Sequence, residues 1–124
     1  MKPIGLIKED GRFGNSENNE GDKPTKVRRF MSEQEYKQIR KNGLLYDPLK
    51  GSGIPTTTTR FTPKNQDVAK AKTGARSAQF QVDFDVMGIP QGPTKITKQG
   101  LPEYPIQGDL TKERIIRIRK VPRR

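Results

Sequence analysis

The sequence predicts a single small α+β domain, and three local patterns carry that expectation. Residues 27–31 are β-prone and run directly into a capped helix. Residues 56–61 form a threonine-rich stretch suited to a strand, and residues 78–86 alternate apolar and polar side chains, the mark of a half-buried strand. At 124 residues the chain has room for one core, because domains most often run to about 100–150 residues.

The elements follow in order. Residues 1–25 hold Gly5, Gly11, Gly14, Gly21, Pro3 and Pro24 around the polar run 15–20, so they read as a flexible lead-in or linker. The folded unit is expected over residues 26–124. After the first strand, Ser32 and Glu35 have capping-box spacing, with Met31 and Tyr36 at the hydrophobic-staple positions. That helix is predicted to reach Asn42 and stop at a left-handed Gly43. Tyr36 and Ile39 are expected to face inward, with Leu44 and Leu45 continuing the core.

Residues 47–55 are loop by their Pro and Gly content. The four threonines at 56–59 are stiff at χ1 and favour extended backbone. Thr62 and Pro63 look like an N-cap and an N1 proline, opening a second helix that ends near Gly74. In the alternating strand, Ala78, Phe80, Val82, Phe84 and Val86 are expected to pack, and Gln79, Gln81, Asp83 and Asp85 to meet solvent. Residues 87–102 are loop, residues 103–106 a short edge strand despite Pro105, and residues 115–121 the last strand.

Composition narrows the chemistry. Hydrophobic residues make up 29% and charged residues 31%, so the core must be small. The absence of cysteine and histidine removes disulfides, thiol nucleophiles and the commonest general base and metal ligand, and no metal site is expected. A formal net charge of +11 attracts polyanions, so RNA or an acidic protein is the expected partner. No apolar run approaches the roughly 20 residues needed to span a bilayer. The C-terminal segment carries Arg114, Arg117, Arg119 and Lys120, either as a contact surface for RNA or an acidic partner, or as a solvated edge strand protected by charge.

No single motif is specific, and their arrangement is more telling. Val27-Arg28-Arg29-Phe30-Met31-Ser32-Glu33-Gln34-Glu35-Tyr36, the Gly43-Leu44-Leu45 helix end, the Gly53 to Phe61 stretch and Gly100-Leu101-Pro102-Glu103-Tyr104 together resemble the ADP-ribosyltransferase toxin domains of bacterial polymorphic toxins. These are the Rhs and contact-dependent-inhibition effectors, some of which modify elongation factor Tu. The resemblance covers residue 27 to the C-terminus. It implies a small split β-sandwich with two short helices and a cleft for NAD. It implies that Arg29 pairs with the phosphates, that Thr57 and Thr58 brace the nicotinamide ribose, and that Glu103 is the catalytic carboxylate. Further implications are a translation factor or RNA as target, an acidic immunity protein, a monomer, and delivery from a larger bacterial toxin into the target-cell cytoplasm.

Ile54 and Pro55 stand where the family often has an aromatic residue. Arg28 competes with Arg29 for the phosphate role, and Glu113 is the alternative acid. A second reading is a histidine-free ribonuclease toxin cleaving tRNA or rRNA, with Lys70, Lys72, Arg76, Arg117 and Glu103 as its candidates. A third is a basic nucleic-acid-binding protein without chemistry.

Overall fold

The computed structural model describes residues 23–124. The expected lead-in falls almost wholly outside them. Its last residues are tied to the domain: Lys23 Nζ donates to Gly92 O at 2.9 Å, Gln91 Nε2 donates to Pro24 O at 2.8 Å, and Val86 N–H donates to Thr25 O at 2.8 Å.

Strand β1 (Lys26–Met31) leads into helix α1 (Glu33–Asn42), and helix α2 (Gln66–Thr73) precedes strand β2 (Phe80–Asp85). Two short strands, β3 (Lys95–Ile96) and β4 (Pro102–Glu103), form a hairpin, and β5 (Ile115–Lys120) closes the chain. The described residues thus form a small α+β unit with two α-helices and antiparallel strands in two sheets, the larger ordered β1-β2-β5. None of these helices is long and apolar enough to cross a membrane.

Bridges Arg28↔Thr57, Thr57↔Glu103 and Ile54↔Ile106 carry the ladder beyond β1. Residues 54–57 therefore lie extended between β1 and the 102–106 stretch. The threonine-rich strand expected over 56–61 is cut short, because Arg60 N–H donates to Thr58 Oγ1 and Phe61 N–H to Thr58 O, turning the chain away. Gly53 fits here with φ +88° where a Cβ would lie 3.0 Å from Pro105 Cβ and 3.2 Å from Ile106 N, so the close approach of the two segments requires glycine.

The start of α1 departs from a full capping box. Ser32 Oγ accepts from Glu35 N–H at 3.0 Å, but the Glu35 carboxylate turns to Arg29 Nε at 2.7 Å instead of returning to Ser32. Helix α2 starts later than expected, at Gln66, with Asn65 as the N-cap whose side chain accepts from Val68 N–H. Thr62 does not cap it, because its hydroxyl accepts from Arg28 Nη1.

The main core gathers Val27, Met31, Ile39, Ile54, Val82, Phe84, Val86, Ile106 and Leu110. A second cluster, Phe30, Ala69, Ala78 and Val121 with Phe61 packed against it, lies under α2. Two expectations fail here. Leu45 is 65% exposed and does not continue the core. The polar side of β2 is a solvent face only at its ends: Gln79 and Asp85 are exposed, but Gln81 and Asp83 are buried under residues 61–63. There Arg28 binds Asp83 at 2.7 and 3.0 Å, and Arg119 reaches Gln81 Oε1 and Pro63 O. Polar groups tolerate burial only when so partnered.

Candidate functional site

A cleft of about 590 Å³ opens beside β1. One wall is β1 from Arg28 to Met31 with Ser32, Glu35 and residues 55–57; the facing walls are residues 73–77, at the end of α2, and Thr97 with residues 101–103 of the β3–β4 hairpin. Arg29, Thr57 and Glu103 all line it, brought together from three distant stretches of sequence, whereas Thr58 does not.

Each of these groups is held differently. Arg29 donates Nε–H to Glu35 Oε2 at 2.7 Å and Nη1–H to Pro55 O at 2.8 Å. Those two bonds orient the guanidinium and leave its remaining N–H groups available to an anion. Arg28 does not compete for that role. Although it borders the cleft, it is 4% exposed and four of its five N–H groups are taken by Asp83, Phe61 O and Thr62 Oγ1.

The threonines act on the backbone. Thr57 Oγ1 donates to Pro102 O at 2.8 Å and Thr56 Oγ1 to Tyr104 O at 2.7 Å, while Tyr104 N–H donates to Thr56 O at 2.8 Å. These bonds clamp the residues on both sides of Glu103. The Thr57 hydroxyl therefore keeps only acceptor capacity towards the cleft. Glu103 is half-buried, and its carboxylate makes no hydrogen bond or ion pair among the described residues. Glu113, the alternative acid, is not in the cleft lining. It sits exposed in the 3-10 turn Lys112–Arg114, its carboxyl held below the usual range by its own backbone N–H and the Thr111 hydroxyl.

Of the ribonuclease candidates, Arg76 and Glu103 line the cleft; Lys70, Lys72 and Arg117 do not. In the basic C-terminal set, Arg114 donates to Asp85 O and Met87 O, and Arg119 to Gln81 Oε1 and Pro63 O. Arg117 and Lys120 are exposed. Glu35 escaped sequence reasoning as a site residue because its helix-capping position accounted for it.

Tyr104, next to Glu103, packs against the main core. Burial pushes its phenol above the usual value of 10.0, with the Arg60 charge acting in the opposite sense. The folded chain thus holds this proton more tightly than the unfolded one. The resulting stabilisation is complete below about pH 10 and is lost as pH rises through the higher folded-state pKa. Tyr104→Phe should flatten the alkaline fall in stability relative to the parent, read from urea midpoints across that range. Equal slopes would show that Tyr104 ionises as freely as an exposed tyrosine.

No protein-family model, curated protein or solved structure matches this chain.

Proposed function

We propose that the cleft binds NAD and that the domain is an antibacterial toxin module transferring ADP-ribose to a component of the translation machinery, on a fold of the split β-sandwich type. The observation that supports this reading most is the convergence of Arg29, Thr57 and Glu103 on one cleft of about 590 Å³, within the roughly 300–1,000 Å³ typical of small-molecule sites. The donor set suits a dinucleotide diphosphate. Arg29 presents a preoriented cationic fork to phosphate oxygens, Thr57 offers an acceptor oxygen, and Glu103 brings a carboxylate with no internal partner.

NAD supplies an activated ribose whose bond to nicotinamide breaks with the electron pair leaving on the nitrogen, so that an acceptor nucleophile can take the anomeric carbon. Glu103 orients the ribose 2′-hydroxyl by accepting its hydrogen bond, and its negative charge lies beside positive charge developing on the sugar. A fixed charge placed in advance needs no reorganisation when the reaction occurs. Thr56 and Thr57 hold the segment carrying Glu103, and Glu35 fixes Arg29. On this reading the domain acts as a monomer in the cytoplasm of a target cell, delivered by a larger toxin, with an acidic immunity protein as its natural inhibitor.

A ribonuclease remains the second reading, because Arg76 and Glu103 share the cleft. One experiment separates them: the purified domain is incubated with labelled NAD and a bacterial extract, and in parallel with total tRNA lacking NAD. Label carried into a macromolecule is the expected result. Shortened RNA without NAD would instead establish the nuclease, and neither outcome would leave a binding protein.

A further inference from the structure

The larger sheet has one long edge with no neighbour among the described residues. On the β1 side the ladder continues through residues 54–57 and 102–106, whereas β5 pairs only with β2. Alternation gives the direction of the β5 backbone groups. Val121 N–H donates to Gln79 O, so Arg119 and Arg117, opposite Gln81 and Asp83, also turn their N–H and C=O groups towards β2. Those of Ile118 and Lys120 then point outward, and none of them has a hydrogen-bond partner among the described residues.

The side chains along this edge have a consistent character. Ile116 is 47% and Ile118 40% exposed, and they alternate with cations. Arg117 and Lys120, both exposed, form no ion pair among the described residues. Arg123 and Arg124 follow, and residues 115–124 contain no acid. The nearby Asp83 carboxylate is occupied by Arg28, and Asp85 accepts from Met87 N–H.

A second copy of this strand is a poor neighbour, because pairing would set like charges opposite one another. RNA phosphates could accept from the outward N–H groups, but they would leave the exposed Ile116 and Ile118 side chains uncovered. A strand with alternating carboxylates and apolar residues satisfies all three features. We propose that the outer edge of β5 accepts an acidic β-strand from a partner protein. The main chain pairs through Ile118 and Lys120, carboxylates meet Arg117 on one face of the strand, and apolar side chains cover Ile118 and the Lys120 stem on the other. No β5 residue lines the cleft, so the proposal stands or falls independently of NAD.

The probe is a short, end-blocked peptide of alternating valine and glutamate, added to the full chain. In the parent protein, NMR-detected hydrogen exchange at the Ile118 and Lys120 amides should slow on peptide addition. Ile118→Pro removes one outward donor without breaking a bond to β2, a position where edge strands accept proline. It should weaken peptide binding by about tenfold while circular dichroism stays unchanged. If that variant does not fold, Lys120→Glu with the exchange map of the parent decides. Several results would overturn the proposal: equal binding of a peptide with the same valines in which every glutamate is lysine, protection confined to amides outside β5, or Ile118 and Lys120 amides already protected in the free protein. So would oligouridylate that slows exchange at the same amides as strongly as the acidic peptide.

Discussion

Glu103→Gln should lower NAD-dependent label transfer by about a hundred- to a thousand-fold, the range seen when one preorganised electrostatic contact to a transition state is removed. The substitution keeps the shape of the side chain and removes its charge. Because the carboxylate has no internal partner among the described residues, folding stability should change by no more than about 0.5 kcal/mol. The loss should appear in kcat more than in KM, since the carboxylate acts mainly on charge that develops during bond breaking. Transfer rates at saturating and limiting NAD, with a melting curve for each protein, check all of this. Undiminished transfer would remove Glu103 from the chemistry, whereas a large drop in melting temperature would make it a structural residue.

The parts of the fold legible in the sequence were those encoded locally. The β-prone residues 27–31, the Ser32 cap, the alternation of residues 78–86 and the stretch 115–121 each act within a few residues, and β1, α1, β2 and β5 follow from them. What escaped depends on distant partners. Gln81 and Asp83 carry the pattern of a wet strand face, yet Arg119 and Arg28, far away in sequence, satisfy them inside the protein. Thr62 resembles a helix cap, but the buried Arg28 takes its hydroxyl, and Asn65 caps α2 instead.

The same division holds at the cleft. Arg29, Thr57 and Glu103 were named through the order of motifs, and all three line it. Thr58 was grouped with Thr57, but neighbours on an extended segment point to opposite sides, and its hydroxyl accepts from Arg60 N–H. The clamping action of Thr56 and Thr57 was invisible beforehand, because it requires the backbone of residues 102–104 to be alongside. Glu35 illustrates the reverse problem: one residue fits a helix-start motif and also binds Arg29, and local pattern reveals only the first role.

Asp83→Ala should destabilise the protein by about 3–5 kcal/mol, the cost of leaving a buried charge without its partner. Arg28 is 4% exposed and would lose both carboxylate contacts, at 2.7 and 3.0 Å, with little water to replace them. Against a total stability of about 5–15 kcal/mol for a domain of this kind, that is a large fraction, and it should lower the melting temperature by roughly 4–8 °C per kcal/mol. The urea midpoint should fall at constant m-value. Replacing both residues, Arg28→Met with Asp83→Leu, should recover most of the loss, because an apolar pair of similar volume avoids the desolvation cost. A drop below about 1 kcal/mol in the single variant would mean that the pair is hydrated and weak, as exposed ion pairs are. The effect should also travel. Arg28 exchanges backbone hydrogen bonds with Thr57, Thr57 holds Pro102, and Glu103 is the next residue. In Asp83→Ala protein kept well below its melting point, amide exchange at Thr57 and Tyr104 should therefore quicken more than at the β2 amides bonded to β1, locating the loosened segment at the cleft wall that carries the carboxylate.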